Sequence, residues 1–404
     1  MATSPILRAT PATLTRSGKR AKQTSLTLFP TAARHGTCEP MYDASAPPPV
    51  PDGRTKPSTQ LVGIARLAAS SPRADAKRGT EYFLLPVRSI LNDCNSPNVP
   101  FRFTVNPYRG CEFGCHYCYA RYTHEFMEVP GDEFESKIYV KQNAGALADR
   151  DLATEPVWGE HIAIGTATDP YQPAEREFGA TRSILQKMAE REGLSLSITT
   201  KSNQVVRDID LLQRISERSS LTVNLSITTV RAALARTLEP RAPRPDLRLG
   251  AVRELRDAGI AAGVLAMPIV PGITDSPEDL DALAKAAHEA RAQWFAGNVL
   301  HLRSASLRHF MEFIGGQYPK LRKQYQNWYL RNATAPDEYR KEISALVESL
   351  RQKYGLGSRP ERVSFSKSWK SPQLALDLTN GGQHGPSEKE HPPYWESAKD
   401  DDAI

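Results

Sequence analysis

One short stretch carries three of the five cysteines of this 404-residue chain: Asn106-Pro107-Tyr108-Arg109-Gly110-Cys111-Glu112-Phe113-Gly114-Cys115-His116-Tyr117-Cys118-Tyr119-Ala120-Arg121. The cysteines have the spacing C-x3-C-x2-C. Glycines precede the first two of them, where glycine permits the positive φ angles of a tight loop. Thiolates are soft ligands that select iron–sulfur clusters, zinc or copper(I). Three thiolates on one loop hold three corners of a cubane [4Fe–4S] cluster and leave the fourth iron open, so the spacing predicts a cluster held by Cys111, Cys115 and Cys118.

A structural zinc site and a disulfide are the alternatives for these cysteines. Zinc needs four ligands. The fourth would be His116, which competes sterically with its flanking cysteines inside the loop, or the distant Cys94. A disulfide leaves an odd cysteine and needs an oxidising compartment. We therefore favour the cluster and interpret Cys38 and Cys94 as bystander thiols.

Six short apolar runs from residue 101 onward alternate with segments of helical periodicity, which predicts βαβ units and a parallel sheet. The predicted strands are residues 101–106, 161–166, 194–200, 221–227, 260–267 and 295–302. The predicted helices are residues 119–128, 174–192, 208–218, 247–258, 277–291, 307–313 and 337–353. The cysteine spacing, with an aromatic residue directly before the third cysteine, resembles the signature of the radical S-adenosylmethionine (SAM) enzymes. The count of six matches the partial (β/α)6 barrel of that family. We predict an α/β fold with this partial TIM-type barrel as its core.

Composition divides the chain around this core. We predict a disordered, basic, Pro/Ser-rich leader over residues 1–79 and an ordered lead-in over 80–100. The barrel then covers 101–313, a helical C-terminal extension 314–378, and an acidic flexible tail 379–404.

Basic charge is concentrated in the leader. Residues 1–80 hold 12 Lys and Arg against 4 Asp and Glu, whereas the rest of the chain holds 40 against 42. A basic tail can bind a polyanion, so nucleic acid is a candidate partner. The competing interpretation is a tail that is simply solvated, as most such tails are. The sequence has no apolar run of about 18 residues. No short apolar segment follows the first charges, so we expect no signal peptide. We expect a cytoplasmic protein without membrane contact.

Polar residues follow the predicted strands at their C-terminal ends, where α/β barrels place their chemistry. A SAM site needs a cation for the carboxylate, acceptors for the ammonium, hydroxyls for the ribose and an apolar shelf for the adenine. Each residue alone is also compatible with ordinary loop chemistry, but together they predict a SAM site. The candidates are Thr168, Asp169, Lys201, Ser226, Met267 and Pro268.

Across about residues 105–302 the chain resembles the radical SAM group that contains spore photoproduct lyase, a DNA repair enzyme, and its DNA repair photolyase-like relatives. The residues that carry this resemblance are the cysteine stretch, Thr168–Pro173, Thr200–Ser202, Leu238–Ala242, Ala258–Ile260 and Pro271-Gly272.

This resemblance implies roles for individual residues. It implies that Cys111, Cys115 and Cys118 hold the cluster, that Tyr117 lies near the adenine, and that Lys201 and Ser226 bind SAM. Tyr117 and Tyr119 match the tyrosines that flank the last cluster cysteine in the lyase, so both are catalytic candidates. The lyase also carries a hydrogen-donor cysteine near the end of its second strand. No cysteine follows Cys118 here, and the lyase reaction itself is therefore not implied.

The hypothesis is an enzyme that uses a [4Fe–4S] cluster to cleave SAM reductively to a 5′-deoxyadenosyl radical. Its partner would be an electron donor such as flavodoxin or ferredoxin, and its substrate a nucleic-acid lesion, a small molecule or a peptide. The sequence gives no indication of the oligomeric state. A zinc-stabilised nucleic-acid-binding protein without catalysis and a degenerate, inactive cluster protein are the competing interpretations.

Overall fold

The computed structural model describes residues 61–360, apart from 78, 95–98, 155–156 and 158. The strands are β1 (Arg73–Lys77), β2 (Thr80–Leu85), β3 (Leu91–Asp93), β4 (Phe103–Val105), β5 (Tyr108–Arg109), β6 (Lys137–Lys141), β7 (His161–Ile164), β8 (Ser195–Thr200), β9 (Ser220–Ser226), β10 (Ala262–Ile269) and β11 (Phe295–Val299). The helices are α1 (Gly63–Ser70), α2 (Tyr122–Glu125), α3 (Ala144–Thr154), α4 (Glu175–Phe178), α5 (Ala180–Ala189), α6 (Ile209–Arg218), α7 (Ala232–Leu238), α8 (Pro245–Asp257), α9 (Pro277–Glu289), α10 (Ser304–Gln317), α11 (Arg322–Tyr329) and α12 (Asp337–Tyr354).

The central sheet has seven strands in the order β11-β10-β9-β8-β7-β4-β3. Every neighbouring pair is parallel except β3 and β4, which are antiparallel. The six parallel strands are the six that the apolar runs predict, and they succeed one another in chain order. Among the described residues no pairing joins β11 back to β3 or β4, so the sheet is an open barrel, and the predicted fold class is confirmed.

The six parallel strands carry no Asp, Glu, Lys or Arg and are mostly buried, as expected for barrel strands whose side chains fill the interior on one face and meet the outer helices on the other. In β9, Val223 and Leu225 on one face and Asn224 on the other are fully buried. In β10, Gly263 lies against the ring of Trp294, and a Cβ added there would be 2.3 Å from the Trp294 Cε2 atom. The indole Nε1 of Trp294 donates a hydrogen bond to Asn224 Oδ1 at 3.1 Å. The core here is therefore closely packed and satisfies its buried polar atoms.

A second, four-stranded sheet has the order β1-β2-β6-β5. Its strand β5 ends at Arg109, directly before the cysteine loop of residues 110–118, so this sheet fixes the start of that loop.

The structure also corrects one predicted boundary, because α1 and β1 lie within the predicted leader of residues 1–79. The polar strand β1 shows no apolar pattern and is formed through its pairing with β2. Residues 1–60 and the predicted tail 379–404 lie outside the described residues.

Two predicted helices differ from the structure, and two helices observed within the predicted barrel were not predicted. The single helix predicted over 174–192 is two helices, α4 and α5, separated by Gly179 in the left-handed region at φ +58°. The helix predicted over 119–128 is a 3₁₀ turn followed by the short α2. The helices α3 and α7 have no counterpart among the predictions.

Beyond the sheet, α10, α11 and α12 pack against one end and one edge of the barrel. The predicted C-terminal extension, residues 314–378, contains α11, α12 and only the end of α10, which begins at Ser304 within the predicted barrel. Residues 361–378 of the extension lie outside the described residues. None of the helices in the described part of the chain is both long and apolar enough to span a bilayer.

Candidate active site

The cysteine loop, residues 110–118, packs its backbone against the second sheet. The Cys111 N–H donates to the Phe134 carbonyl at 3.0 Å, and the Cys118 N–H donates to the Cys115 carbonyl at 3.2 Å. Gly110 has φ +85°, and a Cβ there would lie 2.7 Å from the Lys137 carbonyl oxygen. Glycine is required at this position both for its backbone angle and for this close approach.

The three thiols are free, and the sulfur-bearing side chains are wholly or largely buried. Burial is the main reason that the pKa of each thiol is raised. The carboxylate of Asp169 and the neighbouring sulfurs raise the pKa of Cys111 further, whereas Lys201 opposes the increase at Cys115. A buried set of thiols that repel one another as thiolates is stabilised when a metal takes the place of their protons.

Within the described residues, no three His, Cys, Asp or Glu side chains form a group arranged to hold a metal ion. The loop nevertheless fits an iron–sulfur cluster by the chemistry of its donor set. It supplies three free, soft ligands from one short segment, in an apolar surrounding.

Thr168 and Gln172 hold the cysteine loop in place. The Thr168 hydroxyl donates to the Gly110 carbonyl at 2.6 Å, and Gln172 Nε2 donates to the same carbonyl at 3.1 Å. Gln172 Oε1 accepts from the Glu112 N–H at 3.0 Å. The structure thus gives Thr168 a role in shaping the loop that the sequence did not indicate. Gln172 belongs to the Thr168–Pro173 motif but received no role of its own.

Asp169 ties the end of β7 to the end of β8. Its carboxylate accepts from the Thr200 hydroxyl at 2.6 Å, from the Lys201 N–H at 2.7 Å and from the Tyr171 N–H at 2.9 Å. Burial raises the pKa of Asp169, while these hydrogen bonds oppose the increase. The carboxylate therefore orients the backbone that carries Lys201.

Lys201, Ser226 and Met267 come together at the C-terminal edge of the sheet, as the sequence predicts. Lys201 Nζ donates to Ser226 Oγ at 3.2 Å, and the Ser226 hydroxyl donates to the Met267 carbonyl at 2.9 Å. Met267 and Pro268 are joined by a cis peptide bond. Burial lowers the pKa of Lys201, but nearby anions, Glu239 first, outweigh it and raise the pKa overall. The ammonium is therefore charged.

Glu239 and Arg248 are the site residues that sequence reasoning missed. Glu239 accepts hydrogen bonds from the hydroxyls of Tyr117 and Thr228 and forms an ion pair with Arg248. All four of these residues are almost completely buried. The segment Leu238–Ala242 was visible as a motif, but a charged residue after a short helix looks solvent-exposed until the tertiary structure buries it.

The two tyrosines beside Cys118 differ in environment. Tyr117 is buried, with its ring centroid 5.6 Å from Lys201 Nζ. Tyr119 is 44% exposed and donates its hydroxyl proton to the Thr166 carbonyl. Tyr117 is thus part of the polar site, whereas Tyr119 is accessible to solvent.

The two side chains considered as a fourth zinc ligand are both engaged elsewhere. His116 stacks on Phe313 at 4.3 Å between ring centroids, and its Nδ1 lies 3.2 Å from His309 Nε2. Cys94 is buried and disulfide-bonded. It is therefore not the free thiol that we expected.

Comparison with known proteins identifies the family. The Radical SAM superfamily matches residues 105–285, which include the cysteine loop, Lys201, Ser226 and Glu239. An uncharacterized protein of Mycobacterium tuberculosis is 35% identical over 311 residues, covering 76% of this chain and 89% of that protein. The chain belongs to the radical SAM superfamily. It is a radical SAM enzyme, and its family implies SAM and a [4Fe–4S] cluster as cofactors.

Similarity to this family extends to an archaeal protein and to solved structures. An uncharacterized protein of Methanocaldococcus jannaschii is 30% identical over 195 residues, covering 48% of this chain and 70% of that protein. A spore photoproduct lyase mutant with bound AdoMet and dinucleoside spore photoproduct superposes with a TM-score of 0.54 at 16% identity, covering 75% of this chain and 88% of the lyase. The lyase complexed with dinucleoside spore photoproduct gives 0.53 at 17% identity, with the same coverage. These structures share the fold of the radical SAM barrel described here.

Proposed function

We propose that Cys111, Cys115 and Cys118 hold a [4Fe–4S] cluster with which the chain cleaves SAM reductively. When bound and reduced, the cluster would supply the one electron needed to split SAM into methionine and a 5′-deoxyadenosyl radical, and that radical would take a hydrogen atom from the substrate. The observation that carries the proposal is the juxtaposition of three free, buried thiols with the charged Lys201 at the C-terminal edge of the barrel. An electron donor such as flavodoxin or ferredoxin completes the reaction.

The residues of this chain bind and orient SAM. Lys201 supplies the cation for the methionine carboxylate, and Ser226 offers a hydroxyl beside it. Tyr117, Met267 and Pro268 supply the apolar surface for the adenine. Asp169 uses both carboxylate oxygens to hold the β7 and β8 ends, so it contributes mainly by placing Lys201. Burial of these groups also excludes water from the site.

Iron analysis of single cysteine variants tests the cluster. Replacing Cys111, Cys115 or Cys118 by Ala removes one of three ligands, so anaerobic reconstitution should leave iron well below the roughly four atoms per chain that a cubane holds. Gly250→Ala, where an added Cβ meets no atom within 4 Å, is the control outside the loop and should retain iron like the parent. Full iron loading in a loop variant would contradict the assignment, and zinc in the parent protein would favour a structural metal site instead.

For the substrate we propose a nucleic acid, because α11 and the segments on either side of it carry exposed cations that have no ion-pair partner among the described residues. From residue 313 to residue 336 the sequence has no Asp or Glu and four basic residues. All four side chains are exposed, and none forms an ion pair within the described residues. We name this surface the basic strip; its members are Lys320, Arg322, Lys323 and Arg331.

The basic strip lies at the C-terminal edge of the sheet, where the SAM site is. Tyr325 of α11 donates its hydroxyl proton to the Pro271 carbonyl at 2.7 Å. The Leu321 side chain lies against Gly272, so close that an added Cβ would be 3.1 Å from its Cδ2. Phosphates bound along the strip would therefore run past the mouth of the barrel. A neutral small molecule or peptide would gain no electrostatic attraction from the strip.

The salt dependence of binding tests this choice of substrate. Changing Lys320, Arg322 and Lys323 to Gln should weaken binding of single-stranded DNA or RNA and lower the slope of log affinity against log salt by about 2–3. The matched control changes three exposed cations on the outer helices, Arg214, Arg253 and Lys285, to Gln, and should leave the slope unchanged. Equal slopes in the two triple variants would favour the small-molecule or peptide alternative.

A further inference from the structure

The buried ion pair of Glu239 and Arg248 lies behind the proposed SAM contacts and does not belong to them. Each residue is only 1% exposed. The Glu239 carboxylate accepts from the Tyr117 hydroxyl and from the Thr228 hydroxyl, the latter at 2.7 Å. Burial raises the pKa of Glu239, but Arg248 and then Lys201 outweigh it, and the net shift is downward. The carboxylate is therefore ionised.

Both members of the pair act on the Lys201 ammonium, Glu239 directly and Arg248 through Ser226. Glu239 Oε1 lies 4.0 Å from Lys201 Nζ. Arg248 Nη1 donates to the Ser226 backbone carbonyl at 3.0 Å, while the Ser226 hydroxyl oxygen accepts from Lys201 Nζ. Arg248 Nε also donates to the Pro243 carbonyl at 2.7 Å. The guanidinium thus links the start of α8 to the end of β9.

Charge balance explains why both members of the pair are needed. A lone carboxylate beside Lys201 would fix the ammonium but would also repel an incoming carboxylate of a ligand. The guanidinium of Arg248 neutralises Glu239 through a direct ion pair. Lys201 is then held in one position, with its net positive charge available to a ligand. A long, flexible lysine gains affinity when its position is set before binding.

We propose that Glu239 and Arg248 are positioning residues for Lys201 and so set the affinity of the site for the carboxylate of SAM. Neither residue needs to touch SAM. The inference rests on the proposed function, since it assigns the methionine carboxylate to Lys201. It goes beyond that function by placing part of the binding selectivity in two residues outside the contact surface.

Binding of SAM and of decarboxylated SAM to iron-loaded protein tests the inference. Glu239→Gln keeps an oxygen acceptor for Tyr117 and Thr228 but removes the charge that faces Lys201. We expect about tenfold weaker SAM binding and less than about twofold change for decarboxylated SAM, which lacks the carboxylate. The iron content should equal that of the parent.

A double-variant cycle separates positioning from general packing. If Glu239 acts through Lys201, then Glu239→Gln should have little further effect on SAM affinity in a Lys201→Met background. Arg248→Lys keeps a positive charge but loses the planar fork that bridges Glu239 and Ser226. It should show the same selective loss for SAM and provides a second variant if Glu239→Gln does not fold.

A matched control exists elsewhere in the chain. Glu175 is equally buried, accepts the Tyr108 hydroxyl and pairs with Arg207 at 2.8 Å. Glu175→Gln should lower stability without changing the ratio of the two affinities. The inference is overturned if Glu239→Gln weakens both ligands equally, changes neither or loses iron. It is also overturned if both site variants fail to fold while Glu175→Gln folds.

The parent protein distinguishes failure of the inference from failure of the proposed function. Iron-loaded parent that binds neither ligand would contradict the proposed function. Parent that prefers SAM over decarboxylated SAM, together with a Glu239→Gln variant that keeps that preference, would contradict only the inference.

Discussion

Thr168 shows how strongly the shape of the cysteine loop depends on one hydroxyl. This buried group donates to the Gly110 carbonyl and accepts from Gln172. We expect Thr168→Val to leave buried polar atoms unsatisfied, at a cost of about 1–3 kcal/mol in the free energy of unfolding, and to release iron faster after reconstitution. Urea unfolding and iron retention during gel filtration measure both effects. Thr168→Ser restores the hydroxyl and is the control; identical behaviour of the two variants would contradict the role.

For single residues, the sequence predicts which side chains carry the chemistry of the site, but it does not predict which other residues those side chains contact. The sequence predicts the cluster cysteines from their spacing. It predicts Lys201 and Ser226 as SAM contacts because each lies at the C-terminal end of a predicted strand. Glu239 and Gln172 were not given roles, because each has a partner far away in the sequence: Gln172 contacts Gly110, and Glu239 contacts Tyr117. No local pattern encodes such contacts.

At the scale of single elements, β10 depends on a glycine with no room for a side chain. A Cβ at Gly263 would lie 2.3–2.4 Å from three atoms of the Trp294 ring. We expect Gly263→Ala to destabilise the protein by at least about 1–3 kcal/mol, the usual cost of overpacking. Thermal or urea unfolding measures it. Gly250 in α8 has no atoms within 4 Å of an added Cβ, so Gly250→Ala should be neutral or slightly stabilising. If Gly263→Ala has the same free energy of unfolding as the parent, the Trp294 ring can move to make room for the added methyl group.

The short helix α2 carries a histidine that makes the fold sensitive to acid. His124 is fully buried, its Nε2 lies 2.9 Å from the Lys137 carbonyl oxygen, and burial lowers its pKa to about 4. An unfolded histidine has a pKa of about 6.5, so between these values the unfolded state binds a proton that the native state does not. Stability is therefore lost as the pH falls from about 6.5 towards 4, with about 2 kcal/mol lost from this group by pH 5.

Comparing urea unfolding at pH 7 and pH 5 checks this sign. In His124→Gln the decrease in stability between the two pH values should be smaller than in the parent by about 2 kcal/mol. His288→Gln, at an exposed position near the end of α9, is the control and should behave like the parent. An unchanged decrease in the His124 variant would mean that other groups account for the acid sensitivity.

At the scale of the whole molecule, the six-strand barrel was predictable and its surroundings were not. Parallel strands buried on both faces appear in sequence as apolar runs, and all six were found from that pattern. The second sheet was missed because β1 is largely exposed and β5 has only two residues. These strands are formed by pairing rather than by their own composition, and they are what fixes the cysteine loop against the barrel.

Reductive cleavage of SAM by the whole protein tests the central claim most directly. The protein is reconstituted anaerobically with iron and sulfide, reduced with dithionite and incubated with SAM, and 5′-deoxyadenosine is quantified. Our account predicts a brown protein with about four irons per chain that forms 5′-deoxyadenosine and methionine in equal amounts. A fully iron-loaded protein that forms no 5′-deoxyadenosine, or a colourless protein that carries zinc, would contradict it.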